Sequence, residues 1–327
     1  MYDIKWDLDD SVNILAGING AGKSTILDIV FIIIYHPQHL LTEDLAKKVK
    51  SVSIATDDGT VHYESFNGKY NELKNNSEDN GRLKSLRIAV DESLKRSNND
   101  SNWDEIAIAA SYSYVEKDGR KLTDSEEKDF YKDIIIDSVC SFDAETIDNE
   151  GNIEDSPSIT IQLENIFGMY SYYIGSLAQK VEKMLSESNP SKAAFNEIYG
   201  QRNLFASIMN DFLKETGKKI ILGNQEPRFI INDNKDKVIT YKELSSGEKQ
   251  LLLIMLTALL QEKKECIFFI DEPEISLHND WQYVLIEKIK ELNPNCQLIL
   301  STHSPSMIMN GWAPCVKNIE DIRTETK

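Results

Sequence analysis

Gly17-Ile18-Asn19-Gly20-Ala21-Gly22-Lys23-Ser24 fits the pattern G-x-x-x-x-G-K-[ST], and its flanks decide the fold. Before it, Val12-Asn13-Ile14-Leu15-Ala16 reads as a buried strand. After it, an apolar helix runs over about 25–35 and must stop near Pro37. Strand, glycine loop and helix is the order a phosphate-binding loop requires. Glycines let successive backbone N–H groups wrap phosphate oxygens, and the helix N-terminus adds partial positive charge. Lys23 then reaches the β- and γ-phosphates and Ser24 offers a hydroxyl to Mg²⁺. Gly17, Asn19, Gly20, Ala21, Gly22 and Thr25 complete the candidate ATP-binding set.

Working outward, the C-terminal third carries matching chemistry. Residues 251–260 read as a buried helix, 266–270 as a strand too apolar to face solvent, and 279–292 as a helix. Another buried strand is expected at 297–301 and a short last one at 314–319. Apolar strands alternating with helices imply a parallel sheet covered on both faces. Asp271-Glu272 follows the first of these strands, at the carboxyl end where α/β ligand sites lie. Asp271 suits a Mg²⁺ contact and Glu272 the general base that polarises an attacking water. Leu244-Ser245-Ser246-Gly247-Glu248-Lys249-Gln250 opens a helix, with Ser245 and Glu248 at capping-box spacing. Ser246 and Gly247 there offer a hydroxyl and exposed N–H groups, a second anion-binding helix end. Ser301-Thr302-His303-Ser304-Pro305 follows the second strand and places His303 to touch a γ-phosphate.

The remaining chain is read more coarsely. Residues 2–7 and 11–16 suggest a β-hairpin turning at Asp9-Asp10, and strands at 51–55 and 61–66 flank Asp57-Asp58-Gly59, a second hairpin signal. Residues 67–103, rich in Asn, Ser and charge, read as a partly helical insertion. Strands resume at 107–114 and 133–139. Two amphipathic helices follow, one carrying Leu163 to Met184 and the other Phe195 to Phe212, as a packed hairpin broken at Ser188-Asn189-Pro190. The organisation expected is one ATPase head over 1–327. It comprises an N-terminal β lobe (1–66), a variable acidic and polar insertion (67–157), a helical hairpin (158–217) and a lobe with the remaining motifs (218–327).

Taken in order, 17–24, 244–250, 266–272 and His303 resemble the Walker A, signature, Walker B and His switch of the ATP-binding-cassette class of P-loop ATPases. Leu-Ser-Ser-Gly-Glu-Lys-Gln, Asp-Glu-Pro-Glu-Ile-Ser-Leu-His (271–278) and Ser-Thr-His-Ser-Pro look like the RecF/SMC-like soluble branch. Within it they are most similar to bacterial AAA family ATPases of anti-phage systems: Septu- and retron-associated ATPases and the heads of overcoming-lysogenization-defect nucleases. The resemblance is strong over roughly 1–35 and 240–312. It implies an α/β P-loop head with a mixed or parallel sheet core, an N-terminal β-rich lobe and a short helical insertion. It also implies ATP and Mg²⁺ as cofactors, with the nucleotide sandwiched in a homodimer. Ser246 and Gly247 then act in trans, the segment 275–278 crosses the interface and His303 senses the γ-phosphate. Asp143 or Gln162 stands near the family's Q-loop glutamine, and Tyr2 or Trp6 near the adenine, with core roles open for the last two.

Composition narrows what such a switch could drive. The 327 residues hold 54 acids against 36 Lys+Arg, a net charge of −18, and 28% charged residues, an ordinary globular balance. Residues 116–155 alone hold 14 acids against five Lys+Arg, half of the excess, and make a candidate docking face for a basic protein. This weighs against extended DNA coating, which needs a local Lys/Arg surplus, while leaving room for a small basic patch. No apolar run approaches a membrane span, and Met1-Tyr2-Asp3 does not begin a signal peptide, so a cytoplasmic place is expected. Cys140, Cys266, Cys296 and Cys315 form no C-x-x-C pair and read as buried thiols. After His303 only 24 residues remain, too few for a C-terminal nuclease, so an effector is expected on a partner chain. Three outputs stay open: an anti-phage defence ATPase controlling a toxic effector, a RecF-like DNA-repair clamp, and a nucleotide-gated scaffold with little turnover.

Overall fold

Val12, Asn13, Ile14 and Leu15 are buried in succession, which requires a strand with neighbours on both edges and cover on both faces. That strand is part of a five-stranded parallel sheet formed by β1 (Val12–Ala16), β2 (Ile136–Cys140), β3 (Cys266–Asp271), β4 (Cys296–Thr302) and β5 (Val316–Asn318). Their spatial order is β5-β1-β4-β3-β2, and every pairing is parallel. The computed structural model describes residues 2–35, 49–79, 84, 87–88, 90–91, 107–132, 134–140, 146–147, 153–154, 158–187, 191–231 and 234–325. Two compact units result, residues 1–24 with 135–327, and residues 25–134.

The register sets the site. Asp271 on β3 pairs with Ser301 on β4, while Ser301 pairs with Leu15 and Thr302 with Ala16 on β1. The carboxyl ends of three adjacent strands are therefore level, and the loops 17–22, 272–278 and 303–304 leave from one edge, the edge where ligands bind in α/β sheets.

The first unit's long helices are α2 (Ser158–Glu187), α3 (Lys192–Leu213), α4 (Ser246–Leu260) and α5 (Asn279–Leu292), while α1 (Lys23–Tyr35) begins in this unit and continues the chain into the other. α4 is buried nearly all round: Leu251 to Leu256 are each at most 3% exposed. A helix so apolar on every side must be enclosed, and α2, α3 and α5 pack against it. Leu163, Phe167, Tyr170, Phe205, Met209 and Phe212 join the same core as α4, so the helices at 158–187 and 192–213 are built into it. Gln162, on the first of them, is half-buried.

Residues 2–7 and 11–16 do not form the expected hairpin. Tyr2–Ile4 pairs antiparallel with Arg323–Glu325, with Tyr2 opposite Glu325, and Val12–Ala16 lies between β4 and β5. Alternation identified a strand at the N-terminus, but period-2 patterning carries no information about which edge completes its hydrogen bonds. A three-stranded antiparallel sheet follows α3, from Lys218–Ile221, Arg228–Ile231 and Asn234–Ile239.

The second unit holds a four-stranded antiparallel sheet ordered Ser51–Thr56, Gly59–Lys69, Ala107–Lys117, Arg120–Lys121. Asp57-Asp58 makes the expected turn, and Thr56 Oγ1 donates to Gly59 O at 2.9 Å. Its core joins Ile29 and Ile33 of α1 to Val61, Tyr63, Val115 and Leu122. In the acidic stretch, Arg120 forks onto Glu126 at 2.7 and 3.0 Å, holding that exposed carboxyl down at about 2. Cys266 and Cys296 are buried free thiols on neighbouring strands, and burial pushes Cys266 up to about 12. The side chains of Tyr2 and Cys140, Asp143 as a whole, and most of 80–106 lie outside the described residues. Among the described residues, no helix is long and apolar enough to cross a membrane.

Candidate functional site: a phosphate loop facing paired carboxylates

The loop after β1 is shaped by two left-handed glycines, Gly20 at φ 78° and Gly22 at φ 98°, conformations that a side chain would strain. A Cβ at either would meet nothing within 4 Å, so backbone conformation rather than crowding demands glycine there. Ala21 N donates to Ile18 O at 3.2 Å, closing the loop, and Asn19 and Gly20 stay exposed. Lys23, the first residue of α1, is only 2% exposed and donates through Nζ to Gly17 O at 3.0 Å and Ile18 O at 3.3 Å. Ser24 follows half-buried in the first turn, and Thr25 comes next along the same helix.

Lys23 Nζ also lies 3.1 Å from Glu272 Oε1, joining the first loop to the end of β3. Glu272 sits in the left-handed region at φ 43°, an unusual conformation for a residue with a side chain. Its N–H donates to Ser301 Oγ at 3.1 Å and Ser301 O at 3.2 Å, which anchors that backbone. Ser301 Oγ donates in turn to Asp271 Oδ1. Ser301, fully buried, therefore holds both carboxylate residues in place. Strain of this kind concentrates where geometry is functional.

His303, directly after β4, places Nδ1 3.0 Å from Glu274 Oε1 and 4.0 Å from Glu272 Oε1. The structure thus brings Lys23, Glu272 and His303 together, with Asp271 attached through Ser301. Ser246 and Gly247 join this group through the neighbouring segment rather than directly. Ser245 caps α4: its Oγ accepts from Glu248 N at 3.3 Å, while its own N–H donates to Glu248 Oε2 at 2.9 Å. Gly247 lies against Ser276. Lys218 Nζ donates to Glu248 at 2.7 and 3.0 Å. Burial pushes the Glu248 carboxyl up, but the bonds from Lys218, Ser245 and Thr216 outweigh it and hold the group below its ordinary range.

Sequence reasoning missed Glu274, Gln282, Ser301 and Lys218 as contributors. The one local signal was a further carboxylate after Pro273 in Asp271-Glu272-Pro273-Glu274; Gln282 and Lys218 gave none. The donor set fits a nucleotide with a hard divalent cation: amides and a lysine for phosphate, a hydroxyl and a carboxylate for the metal.

Fold and site together define a P-loop ATPase head. The family described as "AAA domain, putative AbiEii toxin, Type IV TA system" matches residues 12–309, and the chain belongs to it. The chain's similar curated relatives include a Septu protein and a retron ATPase. "Septu protein PtuA" of Bacillus thuringiensis is 24% identical over 330 residues, covering 93% of this chain and 69% of that protein. "Retron Vc95 probable ATPase" of Vibrio cholerae serotype O1 biovar El Tor is 27% identical over 161 residues, 46% of this chain but only 31% of that protein's length. Among solved structures, an SMC head bound to the C-winged helix domain of ScpA is 19% identical, covering 93% of this chain and 85% of that one, with a TM-score of 0.47. The SMC head domain from Thermotoga maritima is 14% identical over 93% of this chain and 84% of that one, at a TM-score of 0.41.

Proposed function

We propose that this chain is a Mg²⁺-dependent ATPase in which two copies close over two ATP molecules, and that it controls an effector on another chain in an anti-phage defence system. The observation that carries the reading is the Lys23–Glu272 contact, which sets a phosphate-loop lysine beside a strained carboxylate at the end of a buried strand. Lys23 and the loop amides bind phosphate, and Glu272 takes a proton from the attacking water. Ser24 and Asp271 would hold Mg²⁺, which would supply positive charge beside the phosphates. Ser246 and Gly247 complete the site on the facing copy, and His303 contacts the γ-phosphate. Nucleotide enclosed between copies has the differential affinity a conformational switch requires. The similarity to Septu and retron proteins supports the defence role, and the acidity of 116–155 supports a basic protein partner over DNA in a cytoplasmic setting.

Phosphate release from ATP with Mg²⁺, together with mass measurement by light scattering, tests this reading. It predicts Mg²⁺-dependent release and an ATP-dependent doubling of mass. Release without Mg²⁺, or none at all, would overturn it.

A further inference from the structure

Ser304 precedes the short helix Pro305–Met309, a position where a serine ordinarily accepts a bond from a free N–H of the first turn. Its hydroxyl makes no such bond and instead donates to Gln282 Oε1 at 2.6 Å. Gln282 lies near the start of α5, only 6% exposed, and its Nε2 donates to Glu274 O at 3.1 Å and Leu277 O at 2.7 Å. Two carbonyls demand the NH₂ end of the amide, which leaves its oxygen to face a hydroxyl, so only one orientation satisfies all three partners. One buried amide thus clips the segment 272–278 to the loop after β4.

Both sides of the clip lead on to the site. Glu274 O also accepts from Leu277 N at 3.1 Å, so Gln282 holds the carbonyl that closes that turn. Glu274, itself 6% exposed, accepts through Oε1 from His303 N at 2.6 Å, a second tie between the same two segments. Ser276, between the two clipped carbonyls, is the residue against which Gly247 lies. A buried polar atom is costly when left unpaired. Removing the Ser304 hydroxyl therefore orphans Gln282 Oε1 and favours a shift of the whole amide, at the expense of its bonds to Glu274 and Leu277.

We infer that Gln282 is a positioning residue that couples the loop carrying His303 to the segment packed on the signature loop, so that a displacement of either is felt by the other. What the loop after β4 meets at the nucleotide is thereby passed to the segment that faces the second copy. The consequence for association rests on the two-copy ATPase reading above; the coupling between the loops does not.

Backbone amide exchange of the full-length chain, without nucleotide, reads the coupling with the disturbance on one loop and the reporter on the other. Ser304→Ala removes the hydroxyl alone, and exchange at the Leu277 amide should rise about fivefold or more, with Phe268 in β3 as the unchanged reference. Gln282→Met should raise Leu277 exchange at least as much, and in that background Ser304→Ala should add nothing. Unchanged exchange at Leu277 in Ser304→Ala, an equal rise at Phe268, or additive effects in the double variant would each overturn the inference. Light scattering over a dilution series at saturating ATP and Mg²⁺ gives the second readout. Both single variants should weaken ATP-dependent association by about 5- to 150-fold, and association of wild-type strength in Ser304→Ala would also sink the proposal. A wild-type chain that stays monomeric speaks against the two-copy reading instead, and amide exchange still decides the coupling.

Discussion

Gly247 approaches Ser276 so closely that a Cβ on it would lie 2.2 Å from the Ser276 main-chain oxygen. The signature loop and the segment 272–278 are consequently a single packed unit, although about 30 residues separate them along the chain. Anything that displaces one must displace the other. The residues that the resemblance assigns to a partner's nucleotide and the segment it places across the interface are thereby coupled within each copy.

The Gly247→Ala variant should therefore be destabilised, because the obstacle is backbone and cannot rotate away. Overpacking of this kind costs about 1–3 kcal/mol, readable as a lower midpoint in urea without a change in slope. An unaltered midpoint would mean that the two loops part easily.

Replacing Lys23 by Ala removes the donor that the loop carbonyls and Glu272 surround. Charge-assisted hydrogen bonds contribute about 1.5–3 kcal/mol, so ATP affinity should fall by at least about tenfold. Titration with a fluorescent ATP analogue checks this, and unchanged affinity would undo the phosphate-loop assignment.

Glu272→Gln retains shape but not basicity. Turnover should drop by about 10²–10⁴-fold while ATP remains bound, and the nucleotide-loaded dimer should accumulate. A monomer at saturating ATP and Mg²⁺, seen by light scattering, would contradict the sandwich.

Acid should loosen the signature loop. The Glu248 carboxyl titrates below its unfolded value, so its stabilisation is complete above the ordinary carboxylate range and is lost as pH falls through the depressed folded value. Lys218→Met removes one cause of that depression and should flatten the fall in stability below about pH 5. Chemical denaturation across that range gives the test. Parallel wild-type and variant curves would show that the Lys218 pair contributes nothing.

Much of the site was legible without coordinates because its requirements are local. A phosphate loop needs glycines at fixed offsets between a strand and a helix, and Gly20 and Gly22 adopt the backbone that only glycine takes without strain. Buried strands announce themselves as apolar runs, and 266–270 and 297–301 both proved central to the sheet. A capping box pairs residues three apart, so Ser245 and Glu248 could be matched on sight.

The sequence by itself determined the phosphate-loop pattern, the parallel α/β core and the placing of Asp271, Glu272 and His303 where its buried strands end, with Lys23 at the helix that follows the loop. Tertiary structure alone decided which strand Tyr2–Ile4 joins, that α2 and α3 pack against α4, and that Glu274 accepts from the His303 main-chain N–H. The reason is physical. Periodicity and glycine placement record what each segment demands of its own backbone, whereas partner choice depends on which surfaces meet after burial. In this chain the register of β3 against β4 makes that choice, setting Asp271 beside Ser301 and delivering both loops to the same edge.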